Sequence, residues 1–395
     1  MLVKKIKRML KLMVQPYFLR LEVPKTYKKY AKSPVKNNKI VFIEIRFPEI
    51  TDSFKLIYEK LKNSGEYEIV EHYLENATVS KLEYRKRVLA MLKDVSTAKY
   101  VFINDASTAV AAIPLRDETK LIQVWHACGA FKKFGLSTAD LLFGENRRIQ
   151  EKYPNYAHQS LVTVSSPEVV WAYEEAMGIQ KNSGVVQPLG ISRTDIFYDS
   201  VFIKKAYEKL YGVFPEAKGK KVILYAPTFR GRVAEAMSPD KLDVKAFYEK
   251  LGGEYVLLFK HHPFVKEPPV IPEEMKSFAL DCTKLMEIDE LLCVSDICIS
   301  DYSSLVFEYS LFKKPIIFFA YDLEEYFDWR GFYYDYNELA PGLIAKTNEE
   351  LLEYIQNIES RFDAQAVLDF KERFMSACDG RATERIIDYV FNELT

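Results

Sequence analysis

From Lys39 onward, short apolar runs rich in Val, Ile, Leu and Phe alternate with longer amphipathic stretches. This alternation constrains the fold more than any other feature. A short apolar run bounded by polar residues or glycine is a strand buried on both faces. A longer stretch with apolar residues at three- and four-residue spacings is a helix. Strands are expected at 39–47, 67–73, 99–104, 120–126, 161–165 and 185–189, with helices at 52–63, 81–94 and 167–177. Residues 192–220, helical, charged and punctuated by Pro215 and Gly219, read as a linker. The pattern then restarts, with strands at 221–226, 255–260, 278–280, 297–300 and 315–320 and helices at 241–250, 287–294 and 305–312. A helical tail follows at 348–358 and 364–394. Repeated strand–helix–strand units mean parallel sheets covered by helices. The fold class is α/β, in two doubly wound halves with a cleft between them, because 395 residues exceed one ordinary core. The expected divisions are a basic segment at 1–38, a first domain at 39–200 and a second at 201–395.

Charge is distributed unevenly along this plan. Residues 1–40 hold twelve Lys or Arg and one acid, Glu22, although the whole chain has a net charge of −1. Residues 2–19 read as an amphipathic helix that Pro16 ends or kinks. Leu2, Val3, Ile6, Met9, Leu10, Met13 and Val14 share one face, and Lys4, Lys5, Lys7, Arg8 and Lys11 the other. Such a helix suits an anionic membrane surface, where each basic residue contributes about 1 kcal/mol. Nucleic acid is not expected as a partner, since no basic surface with interleaved aromatics continues past residue 40. No apolar run reaches the roughly 18 residues that span a bilayer, and no cleavable signal peptide is evident. The five cysteines form no C-x-x-C pair. They read as thiols of a reducing compartment, with Cys282, Cys293 and Cys298 as small core residues.

Doubly wound sheets bind ligands beyond the carboxyl ends of their strands. The residues that follow each strand therefore bear on function. The run 120–124 leads into Trp125-His126-Ala127-Cys128-Gly129, followed by Lys132 and Lys133. His126 is there either a general base facing an anionic substrate or a structural histidine in a strand-to-helix turn. In the second half, one strand ends in Thr228-Phe229-Arg230, a second in Lys260-His261-His262-Pro263 and a third in Asp301-Tyr302-Ser303-Ser304. Ser303 and Ser304 precede an apolar helix, whose free N–H groups and partial positive charge accept phosphate. Together with Thr228, Arg230 and His262 on neighbouring edges, they point to a phosphate site. P-loop, G-x-G-x-x-G, G-x-S-x-G and H-E-x-x-H patterns are absent, and carboxylates are not clustered. No obligatory metal and no cofactor are expected.

The strand-end segments belong to longer motifs: WHACGAFKKFG (125–135), PLGISRTDIF (188–197), YAPTFRG (225–231), KHHP (260–263), SDYSSLVFEYSLFKKPIIFFAYDLEEY (300–326), RGFYYDY (330–336) and APG (340–342). In these motifs and their order the chain resembles, from about Lys39 to its end, the CDP-glycerol glycerophosphotransferases of wall teichoic acid synthesis. The resemblance implies a GT-B-like enzyme with two Rossmann-like domains, the first for the acceptor and the second for CDP-glycerol. It implies a peripheral protein on the cytoplasmic face of the bacterial cell membrane. The implied reaction moves glycerol phosphate from CDP-glycerol to an undecaprenyl-diphosphate-linked ManNAc–GlcNAc acceptor, with release of CMP. The Trp-His-Ala wording and the chain length are more like the primases than the polymerases. A glycerol- or ribitol-phosphate polymerase and a sugar transferase of the same fold are the alternatives, and a homo-oligomer is left open.

The same resemblance implies residue roles. His126 would be the base, and His262 would hold the pyrophosphate and neutralise departing CMP. Thr228, Arg230, Asp301, Ser303 and Ser304 would bind the donor. Glu308 would meet glycerol or ribose hydroxyls, or else be a helix-face charge. Lys132 and Lys133 would face the acceptor diphosphate, the membrane or solvent. Arg193 and Asp195 would form a structural ion pair.

Overall fold

The structure, a computed structural model, describes residues 17–141, 144–231 and 236–394, apart from the side chains of 327–330. The amphipathic helix expected over 2–19 lies, up to residue 16, outside the described residues. Among those described, no helix is long and apolar enough to cross a membrane. All five cysteines are buried thiols.

The chain forms two compact units, and the partition is not a simple cut. The first unit contains the chain as far as His126, then Phe134–Arg193 and the tail from Arg381. The second contains Ala127–Lys133 and Thr194–Gly380. Each unit is built on one six-stranded sheet.

The first sheet comprises β1 (Lys36–Glu44), β2 (Glu68–Tyr73), β3 (Ala98–Ile103), β4 (Lys120–Gln123), β5 (Leu161–Thr163) and β6 (Val186–Gln187). Their order is β2-β1-β3-β4-β5-β6, with every pair parallel. Alternation sends successive side chains to opposite faces. Val41, Ile43, Val101, Ile103 and Leu121 meet Val88, Met91, Leu92 and Val95 of the helix Lys81–Val95. Phe18, Leu19, Val23 and Tyr27 pack in that same cluster, so the apolar residues of the described part of the basic segment anchor it on the core while its lysines stay exposed. Ile40, Phe42, Tyr100, Phe102 and Ile122 meet Phe54, Ile57 and Leu61 of the helix Asp52–Ser64. Ile386 and Val390 of the tail complete this second face. The tail, expected with the second half, thus packs on the first sheet, its Ile386 and Val390 joining the cluster beside Phe54, Ile57 and Leu61.

The second sheet comprises β7 (Lys221–Tyr225), β8 (Tyr255–Phe259), β9 (Ala279–Asp281), β10 (Ile297–Ser300), β11 (Ile316–Phe319) and β12 (Ile344–Ala345). All its pairs are parallel, in the order β12-β11-β10-β7-β8-β9. Counted from its own first strand this is the 3-2-1-4-5-6 order of the Rossmann fold. The two-residue β12 was not expected from sequence, being too short to carry a period.

The switch points of the two sheets, where strand order reverses, lie between β1 and β3 and between β7 and β10. Ligands of such sheets bind outside the carboxyl ends of the strands at these points.

Candidate functional site

In the first unit β4 ends at Gln123, three residues before His126. Two local interactions stop it. Trp125 adopts a left-handed φ of 55°, uncommon for a residue with a side chain. The Gln123 amide oxygen accepts the Trp125 N–H at 3.1 Å, and the Gln123 side-chain nitrogen donates to the Asp105 carbonyl at 3.1 Å. The Trp125 ring is buried and stacks on Phe134 at 5.2 Å. His126 is thereby turned out of the strand path at the carboxyl edge of the sheet.

The His126 ring has a defined hydrogen-bonding sense. Nδ1 lies 3.0 Å from the carbonyl oxygen of Asn104. A carbonyl only accepts, so Nδ1 carries the hydrogen, and in the neutral ring Nε2 keeps its lone pair. The Asp105 carboxylate stands 4.0 Å from Nδ1 and is ion-paired with Arg46. Some 39% of the His126 side chain meets solvent, yet the surrounding protein disfavours the cation. Burial lowers its pKa below the ordinary 6.5, Arg46 and Arg193 act in the same direction, and Asp105 and the Asn104 carbonyl oppose them. The neutral, base-competent ring is the favoured form near neutral pH.

In the second unit Arg230 is the hub. Its Nε and Nη2 donate to the two oxygens of Asp322 at 2.6 and 2.9 Å, and Nη1 donates to the Thr228 carbonyl at 2.6 Å. Nη1 also lies 2.9 Å from Asp301 Oδ2, close in distance but not aligned as a hydrogen bond. Burial opposes the guanidinium charge, but Asp322 and Asp301 outweigh it, and the Arg230 pKa is raised. One side chain therefore ties together the carboxyl ends of β7, β10 and β11, which are neighbours in the sheet. Asp301 Oδ1 accepts the backbone N–H groups of Thr228 and Tyr302 at 2.8 and 2.6 Å. The Thr228 hydroxyl is buried and makes no hydrogen bond among the described residues.

The remaining expected residues separate into two groups. His262 is half-buried between Phe229 and Phe264, at 4.8 and 4.6 Å between ring centres. Its Nδ1 accepts the Phe264 N–H at 3.2 Å, which leaves Nε2 as the N–H donor of the neutral ring. The neighbouring His261 is buried, with Nδ1 at 2.6 Å from the Ser238 hydroxyl, and Lys260 donates to the carbonyls of Thr283 and Met286. Ser303 and Ser304 precede the helix Leu305–Tyr309, and the Ser304 side chain makes no capping bond. These residues flank the second switch point.

Glu308 and the backbone of the two lysines pack against other parts of the unit, while the Lys132 ammonium shares the Tyr326 ring with Arg230. Glu308 is buried and accepts the Cys128 thiol at 3.5 Å. Lys132 pairs by its backbone with Phe332, and its ammonium is 3.5 Å from the Tyr326 hydroxyl. The Lys133 N–H donates to the Gly331 carbonyl at 3.2 Å. Gly129, with φ 63°, sits against the Phe307 ring, where a Cβ would lie 2.5 Å from ring atoms. The segment 127–133 is thus part of the second unit's packing.

Five residues around these sites were missed in the sequence: Glu44, Arg46, Asn104, Asp105 and Asp322. Each is a polar residue at the end of a buried strand or within three residues of it. The rule that found Thr228 and Asp301 would have found them.

Comparison with known proteins agrees with this architecture. A model of the family described as CDP-glycerol:poly(glycerophosphate) glycerophosphotransferase matches residues 26–392. The teichoic acid poly(ribitol-phosphate) polymerase of Bacillus spizizenii is 37% identical over 361 residues, which is 90% of this chain but 56% of that protein. The teichoic acid ribitol-phosphate primase of the same organism is 33% identical over 92% of this chain and 93% of its own length. A teichoic acid glycerol-phosphate primase of that organism is 31% identical over 77% of this chain and 76% of its own length. A solved structure of the wall teichoic acid polymerase TagF superposes with a TM-score of 0.74 at 23% identity, over 99% of this chain and 98% of that one, and shows that the fold is shared. A family match across nearly the whole length, joined to two parallel Rossmann-like sheets with polar strand ends, admits one assignment. The chain belongs to the CDP-glycerol:poly(glycerophosphate) glycerophosphotransferase family.

Proposed function

We propose that this protein transfers glycerol phosphate from CDP-glycerol to an undecaprenyl-diphosphate-linked ManNAc–GlcNAc acceptor as a primase, with His126 as general base. The observation that carries the reading is the His126 ring itself: Nδ1 lies on the Asn104 carbonyl, which leaves the Nε2 lone pair uncommitted to it, and burial lowers the ring's pKa. The acceptor hydroxyl oxygen attacks the β-phosphorus of CDP-glycerol while its proton passes to Nε2. The bond from that phosphorus to the bridging oxygen breaks, and CMP leaves with the electron pair. General-base assistance of this kind is worth about 10²–10⁴ in rate.

The first unit binds the acceptor and the second the donor. Support for a donor site in the second unit comes from the switch-point residues. The Thr228 hydroxyl is buried without a partner among the described residues, a state that a phosphate oxygen would relieve. His262 accepts the Phe264 N–H at Nδ1, so its neutral ring carries its hydrogen on Nε2, the kind of donor that suits a phosphate and the charge developing on CMP. Ser303 and Ser304 add hydroxyls beside it. Arg230 acts through Asp301 and the Thr228 carbonyl, holding these strand ends in place, more than as a free anion ligand. The basic end holds the protein at the anionic cytoplasmic face of the membrane.

A second reading has its own support. A relative matched over nearly the whole length of both chains is a ribitol-phosphate primase, which favours CDP-ribitol as donor. Incubating the purified protein with a short-chain lipid disaccharide and either CDP-glycerol or CDP-ribitol separates the two. The expected result is CMP and a product heavier by one glycerol phosphate. Reaction with CDP-ribitol alone moves the assignment to the second reading, and a ladder of products means a polymerase. No CMP from either donor overturns both.

A further inference from the structure

The first unit holds a buried carboxylate that the reaction as written does not use. Glu44 closes β1, is 1% exposed, and lies on one side of the switch point between β1 and β3. Its Oε2 accepts the Thr51 hydroxyl at 2.7 Å and the Asn104 side-chain amide at 2.8 Å. The same amide nitrogen lies 3.1 Å from the Thr51 hydroxyl. Asn104 follows β3 on the other side of the switch point, and its main-chain carbonyl is the group that receives His126 Nδ1–H.

Burying a carboxylate is costly unless several donors compensate it. Burial raises the Glu44 pKa, and the hydrogen bonds from Thr51 and Asn104 work against that rise. A carboxylate kept under these conditions defines where its donors sit. An Asn104 side chain clamped on Glu44 cannot rotate, so the peptide carrying its carbonyl is held in orientation. The next peptide is held as well: the Asp105 carbonyl accepts Gln123 Nε2 from β4, and the Asp105 carboxylate pairs with Arg46 from beyond β1. Three strand ends thus converge on the carbonyl that selects the His126 tautomer.

We propose that Glu44 is a positioning residue for His126, acting through Asn104: it orients the Asn104 carbonyl so that His126 keeps its hydrogen on Nδ1 and its lone pair on Nε2. The inference rests on the reading of His126 as the base, but its structural half is tested without any substrate. Imidazole ¹⁵N shifts report which ring nitrogen is protonated, and the His126 signals are assigned by their loss in His126→Gln. The wild type should show protonated Nδ1 and bare Nε2. In Glu44→Gln and Asn104→Ala the His126 signals should move toward the other tautomer or an average of the two. With the donor that supports turnover, kcat should fall by about 10- to 100-fold while the donor KM stays within about twofold, since misplacement of a reacting group acts on the chemical step.

A protonated Nε2 in the wild type overturns the proposal. So do a wild-type tautomer and kcat in either variant once circular dichroism shows it folded. Should one variant fail to fold, the other decides. Protonated Nδ1 in a protein that turns over no CDP-polyol would leave the positioning geometry intact and defeat the functional reading instead.

Discussion

His126 shows how much of a residue's chemistry lies in its partner. A histidine near a strand end is equally a base or a spacer by position. The Asn104 carbonyl at 3.0 Å fixes which nitrogen carries the hydrogen, and it leaves the lone pair that the proposed base needs on Nε2. Burial and two arginines then lower the ring's pKa, against the opposing pull of Asp105 and the Asn104 carbonyl. Two consequences are measurable. His126→Ala should lose about 10²–10⁴ in kcat with its circular dichroism unchanged. For the wild type, a group with a depressed pKa loses its proton early as pH rises, so kcat/KM should climb through an inflection below 6.5. An inflection above that value, or a variant within tenfold of wild type, would count against the base assignment.

At the scale of elements, the strand and helix pattern was largely legible, because a strand buried on both faces must be apolar throughout. Strand ends were less legible. The run 120–126 looked like one strand, but the left-handed Trp125 and the Gln123 side chain stop it at Gln123. Candidate residues following β7, β8 and β10 were legible because polar groups stand out after such runs. Their partners were not, since Arg230 and Asp322 are 92 residues apart. That fork makes a prediction about the second sheet. Arg230→Met would leave the buried Asp301 and the partly buried Asp322 without their cation, so urea unfolding should show a loss of about 3–5 kcal/mol. Arg230→Lys keeps the charge but not the fork and should fall between. A loss under about 1 kcal/mol for Arg230→Met would show that the network does not bind the strand ends together.

For the whole molecule, charge asymmetry is a property of sequence alone, and it yields a prediction that needs no coordinates. Removing residues 1–20 takes away six Lys or Arg, of which five lie on one face of the expected helix. Binding to anionic vesicles should be abolished, while binding to neutral vesicles should be negligible before and after. Retained binding to anionic vesicles would assign the membrane contact elsewhere. Two sheets of parallel strands, their approximate boundaries, the basic end and the family were all determined by the sequence, because periodicity, composition and motif order are local or additive properties of a chain. The tertiary structure alone decided that the tail from Arg381 covers the first sheet, that 127–133 packs within the second unit, that Asn104 and Asp105 face His126, and that Glu44 backs Asn104. Those outcomes depend on pairings across tens to hundreds of residues. A hydrogen bond's direction and a buried ion's partner exist only once the strands are in register.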